Sequence, residues 1–230
     1  APLEDERWVP RAQQEELVAT LQASLATRAS EVRAFNLGQG ANLAAWMESL
    51  VDDPVSDVLV LLDFMPAETL PDGLPGSLLE RWIAGGNGLV WSGQTPFQDA
   101  LDDEGRVTHL VLGADQFFQA VTPFIVQGSG QQAPTALGTS VLPSLVPDRA
   151  IRALRPVKLG PEWHVARVFA EDGNHESDDI EVEHSGRRGF YAQLVCSDDT
   201  SLPRVAVLNE YLLARIQKSK VGSVGAPARR

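Results

Sequence analysis

Five oxygen-bearing side chains recur in one acidic stretch, where Asp172, Asn174, Glu176, Asp178 and Glu183 stand at positions one, three, five, seven and twelve of a calcium-loop pattern. Carboxylate and amide oxygens at that spacing can wrap a hard divalent cation. Three features oppose it: Ser177 stands where glycine makes the sharp turn, Glu176 replaces Asp or Asn, and the preceding residues alternate like a strand. A solvated acidic hairpin therefore competes with an ion-binding loop. Of the four histidines, His109 and His164 fall in separate expected elements. His175 and His184 flank the same acidic hairpin and could meet across it to hold a metal beside a carboxylate.

The nucleophile candidates are weaker. Cys196 is the only cysteine, flanked by Val195 and Ser197, with no elbow glycine, base or cation beside it in sequence; it is expected to be a small buried hydrophobe of ordinary reactivity. Ser92 has Val90 and Gln94 where a nucleophile elbow carries glycines. The run Gly85-Gly86-Asn87-Gly88 closes a helix and opens a strand, the reverse of a phosphate loop, and fits a helix C-cap. No catalytic residue is assigned, and no cofactor is expected.

Composition narrows the partner. The chain has 230 residues, 43% of them hydrophobic, and 19 Lys and Arg against 31 Asp and Glu leave a net charge of −12. Such a surface repels phosphate backbones and anionic lipid, so nucleic acid is disfavoured, and no apolar run reaches the length of a membrane helix. A protein partner or a neutral carbohydrate is expected, with the oligomeric state left open. The chain begins with Ala1, and removal of a signal peptide is one origin for that, which favours an exported or envelope location slightly over the cytoplasm.

These side chains need a frame. Leu17, Val18, Leu21 and Leu25 recur at helical spacing, as do Leu43, Trp46, Met47 and Leu50 in a helix that Asn42 could cap. Residues 31–37 suit a short strand. Val58 to Leu62 is a continuous apolar run between acids, the mark of a strand buried on both faces of a parallel sheet. A helix around Leu78 to Ile83 and a second apolar run, Gly88 to Trp91, complete a βαβ unit whose two strands should be parallel neighbours. Further on, 110–121 suits a helix with Phe117 and Phe118 inward, 128–138 a loop, 163–170 and 189–195 strands, and 203–216 a helix. Trp46, Trp82 and Trp91 belong to the core, which leaves Trp8 and Trp163 free for other roles.

Ligands of open parallel sheets bind beyond the carboxyl ends of the strands. Asp63, Ser92, Gln94, Asp198 and Asp199 follow the strong strands and form the expected ligand-binding edge, where they could hydrogen-bond a polyol or sugar. Local capping of loops and of the last helix explains the same residues equally well.

The stretch SLLERWIAGGNGLVWSGQTPF, preceded by DVLVLLD and closed by GFYAQLVCSDDTSLPRVAVLNEYLLARI, resembles the class I glutamine amidotransferase-like superfamily, and more closely its non-amidotransferase branch of trehalose-utilisation-like proteins. That resemblance implies an α/β fold: a flavodoxin-like parallel sheet with helices on both faces, elaborated here by a β-rich excursion over about 163–186. One domain would span 1–217, and 218–230 would be a basic tail or linker. The cysteine elbow of the catalytic members has no counterpart in the sequence. The expectation is a non-catalytic binding or assembly module, with a larger exported or envelope-associated protein as one setting for it. The alternative is a hydrolase or isomerase acting on a small carbohydrate-like substrate at the Asp63, Ser92 and Asp198 edge.

Overall fold

The computed structural model describes Val9 and residues 11–36, 38–70, 76–93, 95–125, 130–150, 152–186, 189–197 and 199–223. In chain order the elements are α1 (Arg11–Leu25), α2 (Gly40–Leu50), β1 (Val58–Leu62), β2 (Met65–Pro66), α3 (Leu78–Ala84), β3 (Gly88–Ser92), β4 (Asp99–Leu101), β5 (Val107–His109), α4 (Gly113–Phe117), β6 (Gln131–Pro134), α5 (Ala136–Val141), β7 (Asp148–Arg149), β8 (Trp163–Glu171), β9 (Asp179–His184), β10 (Phe190–Gln193) and α6 (Arg204–Ser223).

The main sheet has seven strands in the order β1-β3-β10-β9-β8-β6-β7, and β2, β4 and β5 form a small second sheet. The expected βαβ unit is present: β1 and β3 pair in parallel, Val58 opposite Gly88 and Leu62 opposite Ser92, with α3 between them in the chain. β10 adds in parallel on the far side of β3. From β10 onward the pairing is antiparallel through β9, β8, β6 and β7. The sheet is therefore mixed, which corrects the expectation of a parallel sheet carrying a β-rich excursion. β8 and β9 are interior strands of the main sheet; β9 is buried over Asp179–Val182, whereas β8 leaves His164, Val165 and Ala166 exposed.

Hydrophobic periodicity explains the layers. Leu59, Leu61, Leu89, Trp91, Ile180, Val182 and Tyr191 pack on one face with α2, α3 and α4, while Val90, Phe190 and Ala192 pack on the other with α1 and α6. β3 is buried at every position, as expected. β1 buries only Leu59 and Leu61, since it is the sheet's outer strand and Val58, Val60 and Leu62 are half-covered by the helices. Residues 31–36 form no strand, and Leu37 lies outside the described residues.

Local chemistry sets the ends of the helices. Ser77 caps α3 by accepting the Glu80 N–H, and Glu80 accepts the N–H of Gly76, a capping-box arrangement. Gly86, at φ 101°, turns the chain out of α3 into β3, consistent with the C-cap expected for the glycine run. α2 starts two residues before Asn42, and its cap comes from a distant loop: the Asp103 carboxylate accepts the N–H groups of Gly40 and Ala41. α4 is shorter than expected but buries Phe117 and Phe118, and 128–138 contains β6 and the start of α5 in place of a loop. α6 continues through Ser223, past the expected start of the tail at 218.

The close seam of the molecule lies where α3 meets β10. A Cβ on Gly189 would stand 1.9 Å from the Ile83 carbonyl oxygen, a backbone atom that cannot swing away, whereas a Cβ on Gly173 meets nothing within 4 Å. Gly189→Ala is expected to cost roughly 2–3 kcal/mol, a fall of about 5–10 °C in Tm, and Gly173→Ala to change Tm by no more than about 2 °C. Differential scanning calorimetry of the two variants checks the contrast.

Candidate functional site

The three parallel strands all run toward one edge, and each leaves it through a left-handed residue. Asp63 follows β1 at φ 68°, Gly93 follows β3 at φ 111°, and Val195 lies just past β10 at φ 53°. A β-branched residue with positive φ is strained, on the order of 1–3 kcal/mol, and persists only where its surroundings hold it. Asp179 supplies that hold by accepting the Val195 N–H at 3.0 Å. The turns fold the chain over the edge and bring distant side chains together.

Two of the expected edge residues meet directly. The Asp63 N–H donates to the Ser92 carbonyl at 3.1 Å, and a Cβ on Gly93 would collide with Asp63 Oδ1. Asp63 Oδ2 accepts the Val9 N–H at 2.8 Å and Gln14 Nε2 at 3.2 Å, so this carboxylate moors the start of α1 to the sheet. Ser92 is fully buried, and its hydroxyl makes no hydrogen bond. Asp199 closes a local turn by accepting the N–H and hydroxyl of Ser201, which hold its carboxyl below the usual range. Gln94 and Asp198 lie outside the described residues.

The five residues at calcium-loop spacing are not gathered around a common point. Asp172 Oδ1 accepts the N–H groups of Asn174 and Glu176 and its Oδ2 accepts that of Gly130, so it is the capping residue of the β8–β9 turn. Asn174 is exposed, and Glu176 faces Arg155 at 3.3 Å. Asp178 and Glu183 are five residues apart along an extended chain, about 16 Å, too far to share an ion. Glu183 faces His164 at 3.5 Å instead. Nor do the two hairpin histidines meet, for His175 pairs with Glu171 at 2.9 Å and His184 with Glu162 at 3.1 Å. Trp163, expected to be free, is buried against Phe117 and Phe118. Trp8 lies outside the described residues.

What does converge at the edge is a different acidic group. Asp178 and Asp179 open β9, antiparallel to β10, and Asp148 opens β7, opposite Gln132 of β6. One carboxylate oxygen from each of Asp148, Asp178 and Asp179 lies within 4.8 Å of the other two. Asp178 accepts Gln193 Nε2 at 2.6 Å and the Cys196 N–H at 3.0 Å, and Gln193 in turn accepts the Tyr191 hydroxyl at 3.1 Å. Gln132 Oε1 accepts the Asp178 N–H at 3.2 Å. Arg204, from the start of α6, donates to the carbonyls of Val195 and Ser197.

Burial, and then neighbouring carboxylates, raise the proton affinity of all three acids. Asp179 is pushed up to about 7 by burial and then by Asp148; Asp148 rises to about 6 through burial and then Asp199, opposed by Arg204. Asp178 is displaced in the same direction by burial and its two acidic neighbours. Cys196, fully buried beside them, is pushed well above the ordinary thiol range by burial, then by Asp178 and Asp179. Burial and the adjacent acids thus favour the thiol over the reactive thiolate. Asp148 and Asp179 escaped sequence reasoning altogether, since Asp148 lies thirty residues from Asp178 in a stretch without clear periodicity. The adjacency Asp178-Asp179 at a strand start was the available signal.

Protein-family models and curated proteins contain no match to this chain.

Two predictions arise from this cluster. In divalent-free buffer each raised carboxyl is protonated in the folded chain at a pH where the unfolded chain has lost that proton, so its contribution to stability is complete below about pH 4 and is lost as pH rises through about 6 to 7. Asp148→Asn should melt with the parent at pH 4 and above it at pH 7, and thermal scans across that range measure the difference. The native thiol of Cys196 should react with a maleimide or disulfide reagent no faster than global unfolding allows, which stopped alkylation followed by mass spectrometry reads directly.

Proposed function

We propose that this chain is a binding or assembly module: an amidotransferase-like α/β scaffold with a mixed sheet that docks a protein partner and does not use a cysteine nucleophile. The observation that carries this reading is an apolar surface around α4. Val111 and Leu112 lead into that helix at 74% and 62% exposure, and Val121 follows it at 76%. Val157, at 89% exposure, lies on the neighbouring segment, where the Arg155 N–H donates to the Pro123 carbonyl. α4 is only about 7.5 Å long, so the side chains at its two ends fall within one contact surface.

Backbone strain supports the same reading. Leu112, Gln119 and Thr122 all have left-handed φ values, so the turns that hold these apolar side chains outward are conformationally costly. Among the described residues no helix is long and apolar enough to cross a membrane. The net charge of −12 argues against a nucleic-acid partner and leaves a protein surface as the natural occupant. A second reading, a hydrolase or isomerase for a small carbohydrate-like substrate, draws support from the acids of raised proton affinity at the carboxyl edge, since a protonated carboxyl is what general-acid chemistry requires.

The test is charge insertion. Val121→Asp and Val157→Asp, singly and together, should leave circular dichroism and Tm near the parent. The partner recovered by in situ cross-linking, or self-association measured by light scattering, should weaken by about tenfold or more. Unchanged association in the folded double variant overturns the assembly reading. Turnover of aryl glycosides or sugar esters by the parent, lost in Asp148→Asn, would establish the enzyme in its place.

A further inference from the structure

We propose that Asp148, Asp178 and Asp179 hold a hard divalent cation of the calcium, magnesium and manganese class at the carboxyl edge of the sheet. The donor set is all oxygen, which hard cations prefer. Two donors on one ion can lie no farther apart than twice the ion–oxygen distance, about 4.8 Å for calcium and about 4.2 Å for magnesium. Each pair of the three carboxylate oxygens falls within the calcium limit.

Closeness alone would not identify a site; the unmet valences do. Asp178 is fixed by one donor on each oxygen, Gln193 Nε2 and the Cys196 N–H, and Asp179 by the Val195 N–H on Oδ1, as ligating carboxylates are held in metal centres. Asp179 Oδ2 and both oxygens of Asp148 are buried with no hydrogen-bond donor. Beside them, Gln132 is 0% exposed, and with its Oε1 fixed by the Asp178 N–H its Nε2 is a buried donor with no acceptor. Acceptors without donors and a donor without an acceptor are satisfied together by one hydrated cation, the ion facing the carboxylates and a water oxygen facing the amide. Arg204 Nε, also buried and unpartnered, offers a second donor to such a water. Ion entry needs an opening, and Asp148 is the one member of the three that is not fully buried.

The charge balance agrees. Three carboxylates against one guanidinium leave an excess of two negative charges when all are ionised, which a divalent cation cancels. The site is distinct from the acidic β8–β9 turn, whose Asp172 is occupied by backbone N–H groups. It is also independent of the apolar surface around α4.

The experiment titrates the full chain, stripped with EDTA, with terbium and then with calcium, magnesium and manganese as competitors. Tyr191 reaches Asp178 through Gln193 and serves as the sensitiser of terbium emission. The expected result is saturable binding of one ion per chain and a rise in Tm of roughly 5 °C or more at a hundredfold excess over Kd. Asp148→Asn should weaken binding by about tenfold or more, whereas Glu176→Gln, in the calcium-loop spacing, should leave it unchanged. Asp148 donates and accepts no hydrogen bond through its side chain, so the variant should fold. A readout without any substitution uses manganese in an NMR titration, which should broaden the amides of Val195 and Cys196 before those of the β8–β9 turn. Absence of saturable binding by all three ions at about 10 mM, binding unaltered in Asp148→Asn, or broadening centred on 172–176 would overturn the assignment.

Discussion

Two buried carboxylates hold the molecule's central joint. β10 pairs in parallel with β3 on one side and antiparallel with β9 on the other, so it carries the change of strand direction across the sheet. Just past its end, Asp179 accepts the N–H of Val195 and Asp178 accepts that of Cys196, tying the departing chain to the start of β9. Placing two adjacent acids in the interior costs several kcal/mol each if they remain charged. Charge-assisted hydrogen bonds return about 1.5–3 kcal/mol apiece. The remainder raises the proton affinity of both groups wherever no cation offsets their charge, burial first and the neighbouring acids second.

That joint determines where α6 can begin. Val195 must adopt a positive φ to release the chain from the sheet, and Arg204 closes the turn by donating to the carbonyls on either side of Cys196. α6 then lies back across the sheet, burying Val207, Leu208, Tyr211 and Leu212 against Phe169, Phe190 and Ala192. On the other side of β3, Asp63 plays a comparable part for α1 by holding Val9 and Gln14. The same edge that gathers the acidic cluster thus anchors both helices of one layer, and its turns are strained because they serve both purposes.

What was legible in the sequence follows the reach of hydrophobic pattern. Val58 to Leu62 and Gly88 to Trp91 announced a parallel pair because their runs have no polar interruption. Of the residues expected at the carboxyl edge, Asp63 and Ser92 are adjacent there. Strand direction was not legible, since β8 and β9 alternate equally well as an outlying hairpin or as interior strands. Nor was the cap of α2, because Asp103 is brought to Gly40 by the fold and not by sequence proximity. Spacing along the chain assigned Asp178 to a loop with Asp172 and Glu183, but the extended backbone of β9 carries Glu183 away and Asp172 is taken up by its own turn. The neighbours it has, Asp148 and Asp179, are a cross-sheet contact and a residue whose adjacency resembled ordinary acidity.

A second buried acid in the same protein shows what a purely structural carboxylate looks like here. Glu181, two residues along β9 from Asp179, is fully buried under α6, and every demand of its charge is met: Tyr211 donates at 2.6 Å, Arg215 at 3.1 Å, and Arg167 stands at 3.7 Å. Asp148 and Asp179 occupy the same sheet with the same chemistry, yet three of their four oxygens meet no donor, and the nearest guanidinium makes its hydrogen bonds to backbone carbonyls. If the edge acids served only to lock β9 to β10, Asp178 and one oxygen of Asp179 would suffice, and an uncharged side chain at 148 would cost less. The surplus negative charge is therefore best understood as belonging to a ligand's coordination and not to the scaffold.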